Sequence, residues 1–257
     1  MTLKANVSGY GPRRVLFLHG WLSDHHVFDT IVPCFSQAEF TIAQMDFRGY
    51  GLNRAAVTGT YSVDEIAKDA LDLCDLLGWQ EFQVVGHSMG GMVIQKMALQ
   101  APGRVTSAVA ATPVPASGFP VDDGTRTFFE TAADDDSALT AIFNTLTGER
   151  YSSSFLEGLT AAARGAISRE AFLGYLRTWT TTDFSAEVGS IGTPVLVIGG
   201  ATDNALGPEF LKETYLKQLP NALLHVIEHS GHYPMLEVPP EFFGIVETFL
   251  RHEGKRI

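Results

Sequence analysis

The chain alternates between two rhythms, and this alternation constrains its fold more than any other feature. Apolar runs rich in β-branched residues recur as "VLFLHG" after Arg14, "FTIAQMDF" from Phe40, "FQVVGH" from Phe82, "VTSAVAATPV" from Val105, "PVLVIGG" from Pro194 and "ALLHVIE" from Ala222. Stretches of helical period separate them. Near-continuous apolar strands joined by helices predict an α/β architecture, a mostly parallel central sheet with helices on both faces, because such strands must be covered above and below. In "SVDE", Ser62 and Glu65 form a capping box, Ile66, Ala70, Leu73 and Leu77 give the apolar face, and Gly78 ends the helix. Further helices are expected from Met89 to Ala101, from Pro208 to Leu219 and from Pro240 to Arg251.

Between Pro113 and Ser185 the strand-like runs stop. Short helices are expected instead over Thr125–Ala133, Asp136–Leu146, Ser153–Arg164 and Ser168–Trp179, each with a Ser, Thr or Asp at its start. The partition is therefore residues 1–112 and 186–257 as the α/β core, with 113–185 as a helical insertion. Its aromatics include Phe128, Phe129, Phe143, Phe155, Phe172, Tyr175 and Trp179. Most of them are expected to hold the insertion onto the sheet. Phe128, Phe143, Phe172 and Trp179 are the ones expected to line a substrate pocket beneath it.

Composition removes several function classes. With 45% apolar and 18% charged residues the chain can bury a sizeable core, yet no run is long and apolar enough to span a bilayer. A net charge of -11 without a basic stripe argues against nucleic acid and anionic membranes as partners. The stretch "MTLKANVSGYGPRR" lacks the apolar segment of a secretory signal, so a cytoplasmic location is expected. Cys34 and Cys74 form no C-x-x-C pair and are expected to be buried thiols. His25 and His26, behind a capping Asp24, are adjacent and so expected on different helix faces, which speaks against a shared metal. No metal and no cofactor is expected.

The segment "VVGHSMGGMV", Val84 to Val93, turns from strand to helix at a serine. Such a tight turn exposes the Ser88 hydroxyl, and Gly86 and Gly90 leave room for the chain to approach itself. A serine hydroxyl is a poor nucleophile unless a base takes its proton, so a His and an acid are required at the same edge of the sheet. His232 follows the strand "ALLHVIE" and Asp203 follows "PVLVIGG", so loops at the carboxyl edge carry Ser, Asp and His in the order this turn demands. Asp46 and Asp183 also lie near strand or insertion boundaries. Asp46 is better explained as a turn residue whose carboxylate takes local backbone N–H groups. His19 is expected to support the "LHGW" loop and His87 to pack beside the turn.

With "LHGW", "DFRGYG", "GHSMGG", the acid loop after "VIGG" and "SGHYPMLEVP" in order, the chain resembles the α/β-hydrolase superfamily over nearly its whole length. It is similar to small bacterial serine carboxylesterases with an "HGW" oxyanion segment. The resemblance places the insertion at the cap position and implies a small-molecule ester as partner, leaving oligomeric state open. It also implies an oxyanion hole from the backbone N–H groups of Trp21 and Met89. The chain departs from the family pattern at its start, which leaves room for fewer leading strands. Ser88 argues against dehalogenases and epoxide hydrolases, which need a carboxylate there. Two alternatives stay open: a cofactor-free dioxygenase that opens quinolone rings, and a hydrolase-fold small-molecule receptor. Against the first, the strand after the turn helix ends "AATPV", without an acid.

Overall fold

The computed structural model describes residues 3–219 and 221–252. Met1 and Thr2 of the N-terminal stretch, and residues 253–257 of the expected core, lie outside the described residues. The expected apolar runs form strands β2 (Arg13–Leu18), β3 (Phe40–Met45), β4 (Phe82–His87), β5 (Val105–Ala111), β6 (Val195–Gly200) and β7 (Leu223–Ile227). A further strand, β1 (Ala5–Gly9), absent from the runs read in the sequence, precedes them as the one leading strand among the described residues. It runs antiparallel to β3, from Ala5 opposite Met45 to Gly9 opposite Thr41. The seven-stranded sheet has the order β1-β3-β2-β4-β5-β6-β7, and every pairing from β2 onward is parallel.

Two helices form in the first half, α1 (Val63–Leu76) before β4 and α2 (Met89–Gln100) directly after the Ser88 turn. Ser62 caps α1 by accepting from the Glu65 N–H at 3.2 Å, while Glu65 reaches back to the N–H groups of Thr60 and Tyr61, both at 2.9 Å. Between β5 and β6 the chain forms α3 (Asp123–Thr131), α4 (Asp136–Leu146), α5 (Ser153–Ala166) and α6 (Arg169–Thr181). This excursion has a closed neck: the Phe184 N–H donates to Ala116 O at 3.0 Å, and the Phe119 N–H to Trp179 O at 2.9 Å. After β6, the helix expected over Pro208–Leu219 is broken into α7 (Pro208–Glu213) and α8 (Tyr215–Gln218). Thr214, at φ -115° and ψ -81°, interrupts it, its hydroxyl turned back onto Phe210 O at 2.7 Å. The chain ends with α9 (Pro234–Glu237) and α10 (Pro239–Arg251).

Central strands β2, β4, β5 and β6 are buried on both faces, which is why they read as unbroken apolar runs rather than alternating ones. Register then aligns their carboxyl ends, with His87 opposite Ala111, Ala111 opposite Ile198 and Gly200 opposite Ile227. The loops after β4, β6 and β7 therefore leave the same edge. Among the described residues no helix is long and apolar enough to cross a membrane. Cys74 is buried as expected, but Cys34 is exposed, because its short turn leaves the thiol at the surface with only Thr30 O at 3.7 Å.

Candidate active site

Ser88 sits between β4 and α2 with φ 53° and ψ -115°, a backbone conformation that favours glycine. Such a residue costs on the order of 1–3 kcal/mol and persists only where its surroundings over-determine it. Three hydrogen bonds do so: its N–H donates to Ala111 O at 2.9 Å, and its carbonyl accepts from Gly91 N at 2.8 Å and Val114 N at 2.9 Å. Close packing adds to this. A Cβ on Gly86 would lie 2.4 Å from Gly90 O, and one on Gly90 would lie 2.6 Å from Leu18 O.

His232, buried, places its Nδ1 2.7 Å from Asp203 Oδ2. A carboxylate only accepts, so Nδ1 carries the proton, and in the neutral ring the lone pair is on Nε2. The other Asp203 oxygen, Oδ1, accepts from Ala205 N and Leu206 N, each at 3.0 Å, so the turn after β6 fixes the acid before the imidazole reaches it. The peptide of His232 is held as well. Its N–H donates to Leu146 O at 2.9 Å, and its carbonyl accepts from His87 Nε2 at 2.8 Å and Thr112 Oγ1 at 2.9 Å. Burial holds the His87 pKa well below the ordinary imidazole value, so at neutral pH this ring is an uncharged donor. His19 is lowered for the same reason; it donates from Nδ1 to Gly20 O at 2.8 Å and accepts the Phe47 N–H on Nε2 at 3.0 Å.

Ser88 and His232 border one cavity of about 470 Å³, its open mouth included. Trp21 and Met89 border it too. The Met89 N–H is the first of α2 and has no intrahelical acceptor. The rest of the lining is apolar: Val114 comes from the segment after β5, Phe119, Phe129, Ile142, Leu146 and Trp179 from the excursion, Ala205 and Leu206 from the loop after β6.

A model of the alpha/beta hydrolase fold family matches residues 13–164 and 166–239. The chain belongs to the α/β hydrolase fold family. It is 32% identical to a pimeloyl-acyl-carrier-protein methyl ester esterase of Nitrosomonas europaea, over 96% of this chain and 99% of that protein. A 2-hydroxymuconate semialdehyde hydrolase of Pseudomonas putida is 29% identical over 84% of this chain and 78% of its own. A bromoperoxidase from Bacillus anthracis shares the fold with a TM-score of 0.87 at 24% identity, covering 96% of this chain and 94% of its own. The chain is thus an α/β hydrolase with esterase-like bacterial relatives.

Within this α/β hydrolase, the structure brings together Ser88, Asp203, His232, Trp21, Met89 and Trp179 and leaves three expected pocket residues elsewhere. Phe128 is 41% exposed, because one residue along a helix turns the side chain through about 100° and Phe129 takes the inward position. Phe143 packs instead on Tyr233, ring centroids 5.8 Å apart. Phe172 lies behind the wall: its ring is 4.6 Å from that of Trp21, and its carbonyl accepts the Trp21 indole N–H at 2.9 Å. Phe119, Ile142 and Leu146 were missed. Ile142 and Leu146 do share a face, four residues apart, which is the available signal for them.

Two alternative acids are also placed. Asp183 accepts from Ser185 N at 2.9 Å, while Asp46 accepts the Leu52 N–H at 2.8 Å as a turn residue would. Asp46 additionally binds His25, through its backbone N–H at 2.8 Å and its Nδ1 at 2.7 Å. The expectation that His25 and His26 diverge is corrected. They lie in a short 3-10 turn, and their rings stand 4.0 Å apart. Asp46 draws one ring and Asp29, at 2.6 Å, the other. Donor atoms of Asp24, His25 and His26 lie within 4.8 Å of one another.

Proposed function

We propose that this hydrolase cleaves carboxylic esters of neutral, moderately apolar small molecules through an acyl-enzyme. The observation that carries the reading is that a backbone-strained serine and a carboxylate-oriented histidine border one cavity whose remaining walls are apolar. In this reading Ser88 attacks the carbonyl carbon and His232 accepts its proton. The tetrahedral oxyanion is held by the N–H groups of Met89 and Trp21, each such donor being worth roughly 3 to 4 kcal/mol in the transition state. Collapse expels the alcohol, which takes the proton back from His232. Water, deprotonated by the same imidazole, then releases the acid. Asp203 holds the tautomer and offsets the imidazolium charge at both stages.

Residues 113–185 act as the cap in this scheme, supplying the walls that receive the substrate. The methyl ester esterase relative supports an ester as the substrate class. Against the ring-opening dioxygenase, Thr112 and not an acid follows β5.

Initial rates on chromogenic esters of increasing acyl length test the reading, with the wild-type chain beside Ser88→Ala. The expected result is fast hydrolysis that Ser88→Ala abolishes, with a maximum at the acyl length the cavity accommodates. Negligible turnover by folded wild-type protein would overturn the esterase reading, and oxygen uptake with a quinolone, or ligand binding without turnover, would separate the two remaining readings.

A further inference from the structure

The loop that carries His232 is held by a residue outside the cavity. Glu237, on α9, has a fully buried side chain. Its Oε2 accepts the Gly231 N–H at 2.8 Å and its Oε1 accepts the Tyr233 N–H at 2.8 Å, so one carboxylate grips the backbone N–H groups of the two residues that flank His232. The unit 232–233 is thereby pinned at both ends, since its carbonyl is the one that His87 and Thr112 hold. Arg150 completes the clamp. Its Nη2 donates to Glu237 Oε2 at 2.5 Å, its Nη1 to His229 O at 3.2 Å and its Nε to Thr147 O at 3.2 Å. One guanidinium thus joins the end of the α4 region to both ends of the histidine loop. That region also supplies Leu146, which borders the cavity and accepts the His232 N–H.

We propose that Glu237, anchored by Arg150, is a positioning residue for the hydrolysis: it sets the peptide planes that aim His232 between Asp203 and Ser88. This rests on the reading of His232 as the base. A carboxylate suits the task because both oxygens accept, and two N–H groups plus a guanidinium must be satisfied at once. A glutamine would turn an N–H2 toward one of these donors. Because misplacement of a reacting group by about 1 Å costs on the order of a hundredfold in rate, a modest rotation of this loop is enough to matter.

The test compares Glu237→Gln, Arg150→Lys and Arg150→Ala with wild type. Steady-state kinetics are measured on one chromogenic ester, and proton NMR follows the strongly downfield Nδ1–H resonance expected of the His232–Asp203 bond. Glu237→Gln is expected to lower kcat on the order of a hundredfold with little change in KM, since Glu237 does not border the cavity, and to shift or broaden that resonance. Arg150→Ala is expected to lose activity and regain part of it with millimolar ethylguanidinium, because the Arg150 side chain is 32% exposed and its site is open to a small cation. Arg150→Lys, a point charge without the fork, should fall between.

A folded Glu237→Gln protein with wild-type kcat and an unmoved resonance would overturn the proposal. If Glu237→Gln does not fold, Arg150→Ala decides: rescue supports positioning, and a folded, inactive variant that ethylguanidinium leaves unchanged sinks it. Should Ser88→Ala remain fully active, the esterase reading fails, whereas the NMR comparison still reports whether Glu237 orients His232.

Discussion

Two buried histidine–carboxylate pairs in this molecule are close to superposable in their chemistry and opposite in their circumstances. In His232–Asp203 and in His25–Asp46 the Nδ1–oxygen distance is 2.7 Å. Each acid also accepts two backbone N–H groups, at 3.0 Å from Ala205 and Leu206 for Asp203, and at 2.8 Å from His25 and Leu52 for Asp46. What differs is the space beyond the imidazole. The His232 ring borders the cavity it shares with Ser88, whereas the His25 ring faces that of His26 at 4.0 Å. A tight His–Asp bond is therefore no signature of catalysis by itself; in the proposed reading the neighbouring Ser88 and the cavity confer the role.

The comparison is broken most decisively by mutating both acids. Asp203→Asn is expected to lower kcat by about four orders of magnitude, the scale on which loss of the orienting acid acts, as the imidazole turns to the wrong tautomer. Asp46→Asn should leave kcat within a few-fold of wild type. Equal losses in the two variants, measured on the same ester, would show that the distinction drawn here is wrong.

A second difference should appear in stability. Asp46→Asn keeps one acceptor oxygen but turns an N–H2 toward donors that the other oxygen served and removes the charge facing His25, a loss of roughly 3 kcal/mol on urea unfolding near pH 5.5. That gap has a pH dependence with a definite sign. The hydrogen bond to Asp46 raises the His25 pKa, so its contribution is complete below the ordinary imidazole value of about 6.5 and is lost as pH rises through the higher folded-state value. The Asp46 pKa is lowered, against its burial, by His25, by His19 and by the backbone donors, so its contribution is present above the ordinary carboxylate range and is lost as pH falls through the lower folded-state value. The stability difference between wild type and Asp46→Asn is thus expected to be widest between these limits and to narrow as pH rises above the ordinary imidazole value. Unfolding curves at pH 5.5, 7 and 9 measure it. A gap that widens with pH would contradict the ion pair.

The smallest expected effect concerns Ser88 itself. Ser88→Gly should be more stable than Ser88→Ala by about 1 kcal/mol, since only glycine adopts φ 53° and ψ -115° without cost. Equal melting temperatures would mean that the turn stores no strain.

How far the sequence carried this picture depended on whether a residue's setting is local. The runs from β2 to β6 were legible because strands covered on both faces are apolar nearly throughout, β7 because Leu223, Leu224, Val226 and Ile227 keep an apolar run even at an edge, and α4 was read with its observed bounds from its cap and its terminating glycine. Strand β1 escaped because "ANVSG" is a partly exposed edge with one partner, so only one side of its ladder constrains it and its residues need not be apolar. The inward residue of α3 was missed by one position, since the helix begins behind Asp122 rather than at Thr125. Asp203 could be placed beside His232 from strand order, yet the second pair stayed hidden: nothing in "SDHH" announces that Asp46, 21 residues onward, will meet it. Glu237 was visible as a letter in "SGHYPMLEVP", but its full burial follows from Arg150, a contact 87 residues away.

The closed neck of the helical excursion has a consequence for how such a molecule can change. Because Phe184 is bonded to Ala116, the excursion leaves and rejoins the core at one point, and its length is nearly free of the rest of the chain. Doubling a tethered segment costs only about 0.6 kcal/mol in closure entropy. In the proposed reading the reacting side chains sit on the sheet loops, while much of the cavity wall belongs to the excursion, which is tied to the core beyond its neck through Leu146 on His232, Arg150 on the histidine loop and Phe172 on Trp21. On the proposed function, substrate range and chemistry sit on separable parts, and exchanging residues 117–183 between relatives is expected to change specificity at a retained reaction centre, provided that the grip of Arg150 on the histidine loop travels with the exchanged piece.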